Sequence, residues 1–349
     1  MSTGVAGLPA ESGAPSMDRG RTGAHLAAIR STGRSALAGF LHVGYPDVPT
    51  SLAALRALTG EGDSPGVDLV EIGLPYSDPM MDGVTIQRAG TRALARGVRT
   101  RDVFAAVEAV ASTGVPALVM TYWNLIERYG PDAFVRDLAS AGGSGAITPD
   151  LTPDEAGEWL RVSDAASLDR VFLVSPSSTD ERLARTLQAC RGWVYATSLM
   201  GVTGARAQTS AAAPLLVSRI RASDPTAMVG VGLGVSNGSQ AYEVSRYADA
   251  VIVGSALVKP LLDAEDAGRP DDLSGLRAVV ADLALGVRGG SGAGGPGSGA
   301  EPQRGVRGGF PPAGESSVGS GAAPQRGVRG GLPRAGWGTS MRPGGLVGT

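Results

Sequence analysis

Val70-Glu71-Ile72-Gly73-Leu74-Pro75-Tyr76-Ser77-Asp78-Pro79-Met80-Met81-Asp82-Gly83-Val84-Thr85-Ile86-Gln87 passes from an apolar β-branched run, through a loop broken by two prolines, into a stretch with helical spacing. It is one strand-loop-helix unit, and the chain repeats that unit on both sides of it. Buried strands are read at 37–43, 68–72, 117–122, 144–148, 171–174, 193–197, 228–231 and 250–253, eight in all. Helical spacing recurs between them at 51–59, 101–112, 132–141, 153–162, 181–190, 212–221 and 239–247, and 273–285 closes the series. Strict alternation over this length predicts an α/β fold, a (β/α)8 TIM barrel of parallel strands joined by crossover helices. An open doubly wound sheet is the competing architecture. The strand count and the glycine-rich turns after strands seven and eight favour the closed barrel. A dinucleotide fold would put such a turn after its first strand, where Val43-Gly44-Tyr45-Pro46 does not match it.

Outside this pattern the composition changes. Residues 24–286 are expected to form the barrel, 1–23 a disordered N-terminal extension and 287–349 a Gly/Pro/Arg-rich low-complexity tail. A segment starting at Met17 leads into the first helix, so residues 1–16 read equally well as a loose extension or as an upstream stretch ahead of the true start. In the tail, 302–309 is repeated at 324–331. Such Arg-Gly repeats could contact RNA, but near absence of aromatics favours an incidental solvated extension. The whole chain carries a formal charge of −2. The tail from Gly289 holds six Arg against Glu301 and Glu315, which leaves about −6 on the remainder and argues against a nucleic-acid groove there. Cys190 stands alone, so neither an intrachain disulfide nor a cysteine metal cage is available. With no signal-type or spanning apolar run, a cytoplasmic protein without membrane contact is expected.

The chemistry concentrates around the opening stretch. Period-two alternation sets Glu71 opposite Val70 and Ile72, so it points into the barrel if those two face the helices. Burial there would raise its pKa and let it both donate and accept a proton. The alternative is a structural pair with a buried arginine. Asp82 falls in a loop at the C-terminal mouth, where barrel enzymes keep reactive groups. It could instead cap the helix that begins near Val84.

The run from Glu71 to Gln87 resembles the signature of the tryptophan synthase alpha subunit family. Further matches follow in order: Asn124 after Tyr122, Asp150, Tyr195, Gly201-Val202-Thr203-Gly204, Gly232-Leu233-Gly234-Val235-Ser236 and 254–259. The similarity covers 36–260. It implies a lyase that cleaves indole-3-glycerol phosphate to indole and glyceraldehyde 3-phosphate, working as the alpha component of an alpha2-beta2 tetramer. By the same resemblance Glu71 shuttles protons, Asp82 accepts the indole N–H, and Tyr195 orients Asp82. No cofactor or metal is expected in this chain, pyridoxal phosphate being expected only in the beta subunit. Asp78 and Pro79 become candidate contacts to that partner.

Phosphate recognition is expected from backbone amides of Gly204, Gly234, Gly254 and Ser255, the last two opening a helix whose free N–H groups suit an anion. Phe40, Met120, Tyr122, Val174, Thr203 and Leu233 are candidates for the indole slot. Residues 198–213 read as a lid. Lys259, the only lysine, lies on an outer helix, so a Schiff-base route has no well-placed amine. His25 and His42 do not suggest a zinc site, although His42 shares a strand face with Phe40. Val84 and Leu233 depart from the usual family residues. Two other readings stay open: another phosphate-binding barrel enzyme of tryptophan or histidine biosynthesis, and a non-catalytic barrel with an RNA-contacting tail.

Overall fold

The computed structural model describes residues 16–60, 62, 64–197 and 206–289, with 206–211 given by backbone alone. Its strands are β1 (Ala36–His42), β2 (Leu69–Gly73), β3 (Ala117–Met120), β4 (Gly145–Ile147), β5 (Asp169–Val171), β6 (Leu173–Val174), β7 (Val194–Thr197), β8 (Val229–Gly232) and β9 (Ala250–Val253). All neighbours are parallel, in the order β5-β4-β3-β2-β1-β9-β8-β7-β6. The two ends of that order are separated by Phe172 alone. Across this junction Thr148 N–H donates to the Val171 carbonyl on one side, and Tyr195 N–H donates to the Phe172 carbonyl on the other. β5 and β6 are therefore one barrel strand bonded on both sides, and the sheet closes. That removes the open-sheet alternative and reconciles nine segments with the eight strands expected.

Helices follow the strands as crossovers: Val48–Leu58 after β1; Val84–Ala95 and Asp102–Ala111 after β2; Trp123–Tyr129 and Pro131–Ser140 after β3; Gly157–Ala165 after β4; Asp180–Ala189 after β6; Arg206–Ser223 after β7; Gly238–Ser245 after β8; Ser255–Asp266 and Ser274–Val287 after β9. Several starts are written locally. Asp47, Thr179 and Asn237 each accept the N–H of the residue three positions on, satisfying a first-turn donor.

Alternation along the strands divides the core in two. Ala36, Ala38, Leu69, Leu118, Ile147, Val171, Trp193 and Ile252 fill the barrel, while Leu37, Val70, Ile72, Val119, Phe172 and Val251 pack under the helices. Leu26 and Ile29 also join the inner cluster, because the helix Gly20–Ser31 plugs the N-terminal end of the barrel. The ordered unit thus starts before residue 24. Thr22 donates from N–H and hydroxyl to Asp169, both at 2.6 Å, and Met17 is buried with its N–H on Asp224 at 2.7 Å. The helix went unexpected over its first turn because it begins at Gly20 with positive φ, between polar residues that form no apolar stripe. Residues 1–15, residues 198–205 of the lid expected over 198–213 and the repeats beyond 289 lie outside the described residues, while 206–213 of that segment belongs to the helix Arg206–Ser223.

Candidate active site

β2 is buried along its whole length, and strand parity decides where Glu71 goes. Phe40 and Leu118 stand opposite it on β1 and β3. With Val70 and Ile72 packed under the helices, Glu71 enters the barrel and is 1% exposed. No guanidinium reaches it: Oε1 is buried without a hydrogen-bond partner among the described residues, so the structural ion pair is ruled out. An unpaired carboxylate in such a place keeps its proton, and burial pushes the pKa up to about 8.

Asp82 lies in the loop at the mouth. Gly83, not Asp82, occupies the cap position of the helix Val84–Ala95, with no side-chain cap bond, which removes the capping role. Gln87 Nε2 donates to the Asp82 backbone carbonyl at 2.8 Å, leaving the carboxylate itself free of hydrogen-bond donors among the described residues. Partial burial raises its pKa to about 6. Tyr195 projects inward from β7, stacked on Trp193 at 5.7 Å. Burial, followed by the charges of Glu71 and then Asp82, holds its hydroxyl well above the usual tyrosine range. A Cβ at Gly232 would lie 2.6 Å from the Tyr195 hydroxyl oxygen; glycine is what allows the phenol to stand there.

Phe40, His42, Asp82, Met120 and Tyr122 line one pocket at this end, with Gly73 and Thr121 beside them. The Phe40 ring lies over Gly73, where a Cβ would come within 2.4 Å of Cζ. His42, which shares its strand face with Phe40, meets that ring edge-on at 5.1 Å, and burial lowers its pKa to about 4, so it is neutral at pH 7. Tyr122 does more than line the slot. Its hydroxyl accepts from Met80 N–H at 2.8 Å and Met81 N–H at 3.2 Å, pinning the loop that carries Asp82, while its ring stacks on Tyr76 at 4.4 Å. Sequence could place Tyr122 at a strand end but not reveal the loop that folds back to it. Val174 does not belong to the slot. The strand turns it outward into the helix layer, and Leu173, paired with Tyr195, packs inward instead. That parity is legible from Val171 and Phe172.

The phosphate candidates meet the same end of the barrel. Gly254 ends β9 beside Phe40 and Ile86, its Cβ position being 3.5 Å and 3.0 Å from their Cδ1 atoms. The Leu257 and Val258 amides donate to the Gly254 carbonyl, leaving Ser255 and Ala256 as the open donors of a helix start. Gly234 follows the neighbouring strand β8 and adopts φ +70°, a turn that favours glycine. Leu233 is half-buried against the outer cluster rather than in the pocket around Asp82. Asp78 and Pro79 sit in the loop between the carboxylates, beside Met80 at 72% exposure. Thr203 and Gly204 lie outside the described residues.

The family model described as tryptophan synthase alpha chain matches residues 26–281. The chain belongs to that family. A tryptophan synthase alpha chain from Salinispora tropica is 58% identical over 268 residues, covering 77% of this chain and 98% of the relative. One from Mycobacterium avium is 57% identical over 268 residues, covering 77% and 94%. Among solved structures, tryptophan synthase from Mycobacterium tuberculosis superposes with a TM-score of 0.70 at 55% identity, covering 78% of this chain and 99% of that one. The tryptophan synthase a2b2 complex from Pyrococcus furiosus gives a TM-score of 0.62 at 31% identity, covering 72% and 98%. The family match thus spans the barrel from the plugging helix to the last helix. No helix among the described residues is long and apolar enough to cross a membrane.

Proposed function

We propose that this tryptophan synthase alpha chain cleaves indole-3-glycerol phosphate to indole and D-glyceraldehyde 3-phosphate, with Glu71, Asp82 and Tyr195 as its working groups. The observation that carries the reading is an unpartnered carboxyl, Glu71, buried inside the barrel, with a second, Asp82, in the loop at its mouth; burial sets the first at about 8 and the second at about 6. At pH 7 the first is a neutral acid and the second an anion. Glu71 gives its proton to the indole ring carbon that bears the glycerol chain, and positive charge develops at the ring nitrogen. Asp82 accepts the ring N–H and stabilises that charge. Glu71, now a carboxylate, takes the proton of the side-chain hydroxyl; the carbon-carbon bond breaks, its electron pair returns to the ring, and an aldehyde is released. One proton leaves Glu71 and one returns, so the enzyme is restored. Tyr195, by the family resemblance, positions Asp82.

The open amides at Ser255 and Ala256 and the Gly234 turn support a phosphate subsite there, with Gly204 as its further member. The ring of the substrate would lie against Phe40 and Met120, closed over by Tyr122. We place the partner, a beta subunit that carries pyridoxal phosphate and consumes indole, at the loop holding Asp78 and Pro79. Exposed Met80 on that loop and Val84 at the start of the following helix supply apolar contact area. The reaction as drawn asks for no cofactor in this chain. A cytoplasmic setting accords with the lone, buried Cys190 thiol. The test is indole release from indole-3-glycerol phosphate by the purified chain, alone and with a beta subunit. Release that rises with the partner and vanishes in Glu71→Gln supports the assignment; near-normal release by that variant refutes it.

A further inference from the structure

The reaction accounts for the mouth of the barrel and leaves its opposite end unexplained. There, a groove of about 360 Å³ is lined by Arg30, Arg34, Tyr242, Ser245, Arg246 and Arg288, among other residues, with no carboxylate in its lining. Arg34 and Ser35 lead into β1, Tyr242 and Arg246 end the helix before β9, and Arg288 ends the last helix, so the groove faces away from Asp82, Gly234 and Gly254. Its volume lies within the range of small-ligand sites.

The charges are not balanced by the protein. Arg30 and Arg221 share Asp249, Arg34 takes Asp68, and Arg246 reaches only Glu243, at 3.7 Å with both side chains largely exposed. Arg288 has no carboxylate within ion-pair distance among the described residues. Five guanidinium groups therefore meet three carboxylates. Hydrogen bonding is scarcer still: among the described residues the guanidinium groups of Arg30, Arg246 and Arg288 make one bond between them, from Arg288 to the Gly66 carbonyl at 3.1 Å. Each guanidinium carries five N–H donors in a planar fork matched to phosphate oxygens. Three helices end at this groove, and their C-terminal carbonyls attract a basic side chain each. That attraction explains why arginines are found there, but it leaves the forks without acceptors. Beside them Tyr242, one turn before Arg246 on the same helix face, is 46% exposed and offers an aromatic surface at the edge of the cationic cluster.

We propose that this groove is a second ligand site, taking a small molecule that joins a phosphate to an aromatic ring, the chemistry of a mononucleotide. Arg30, Arg246 and Arg288 hold the phosphate, and Tyr242 stacks on the ring. The proposal is independent of the reaction at the mouth. It is tested by calorimetric titration of the full chain with AMP, with inorganic phosphate and adenosine as separate competitors, at low and at physiological salt.

Saturable binding of AMP is expected, weaker at the higher salt. Neither competitor should displace AMP at an equal concentration. Arg246→Ala/Arg288→Ala should weaken AMP binding at least tenfold with melting temperature and indole release unchanged, and Tyr242→Ala should remove the preference for AMP over phosphate. Absence of saturable AMP binding at millimolar concentration and low salt would overturn the proposal. So would binding that the double arginine variant leaves intact, since the anion would then sit elsewhere. Equal binding of phosphate and AMP in the intact chain would overturn the aromatic part.

Discussion

Glu71 is an acid because of where one strand position points. The pattern Val70-Glu71-Ile72 already said that it opposes the apolar residues, and the barrel turns that alternation into burial with an unpartnered Oε1. Glu71→Gln should cut indole release by about 10²–10⁴-fold, the usual worth of a proton-transfer group. The same substitution should raise stability. The folded state keeps the proton up to about pH 8, whereas the unfolded chain loses it near 4.5, so the stability contributed by Glu71 falls as pH rises through that window. The gain of the Gln variant in urea midpoint should therefore be larger at pH 8 than at pH 5; an equal gain would mean that the carboxyl is solvated. Asp82→Asn should lower turnover by about 10²–10³-fold. Of the other site residues, Tyr195 was legible from its motif. The hydroxyl work of Tyr122 was not, because it depends on a loop returning from Met80 and Met81.

At the scale of elements, strand positions were readable within a residue or two because β-branched runs buried on both faces leave little choice of state. β5 and β6 were readable as one strand, at 171–174, because the apolar run continues through Phe172; its start at Asp169 and Arg170 was not, since both residues are charged. The outward turn of Val174 follows from the parity of that same strand, with Val171 and Leu173 inside and Phe172 and Val174 outside. Two element contacts carry predictions. Gly232→Ala would drive a methyl into the Tyr195 hydroxyl, which must move; turnover should fall by up to about 10²-fold with a smaller change in melting temperature, as expected when a positioned group is displaced. Asp169, which accepts from Thr22 and from Arg21 N–H at 3.1 Å, fastens the plugging helix to the barrel floor. Asp169→Ala should cost about 3 kcal/mol in denaturant unfolding, through the loss of charge-assisted bonds to buried donors, and leave turnover of the folded enzyme unchanged.

For the whole molecule, closure of the barrel brings the ends of β1, β2, β3, β7, β8 and β9 to one mouth, and that convergence assembles the site from residues far apart in sequence. At the N-terminal end the barrel begins earlier than residue 24, a start not legible in the sequence because the helix Gly20–Ser31 lacks an apolar stripe over its first turn. The family match ends at 281 and the last helix at Val287, so a chain ending at Gly289 should keep its melting temperature and its rate of indole formation. Loss of either would assign the repeated tail a part in the enzyme. The central claim is that two carboxyls, Glu71 inside the barrel and Asp82 at its mouth, are held in opposite charge states at neutral pH. The measurement that tests it most directly is the pH dependence of kcat/KM for indole formation. A bell with limbs near pH 6 and pH 8, losing its acidic limb in Asp82→Asn, is the predicted result. A profile that stays flat up to pH 10, or one whose acidic limb survives in Asp82→Asn, would contradict it.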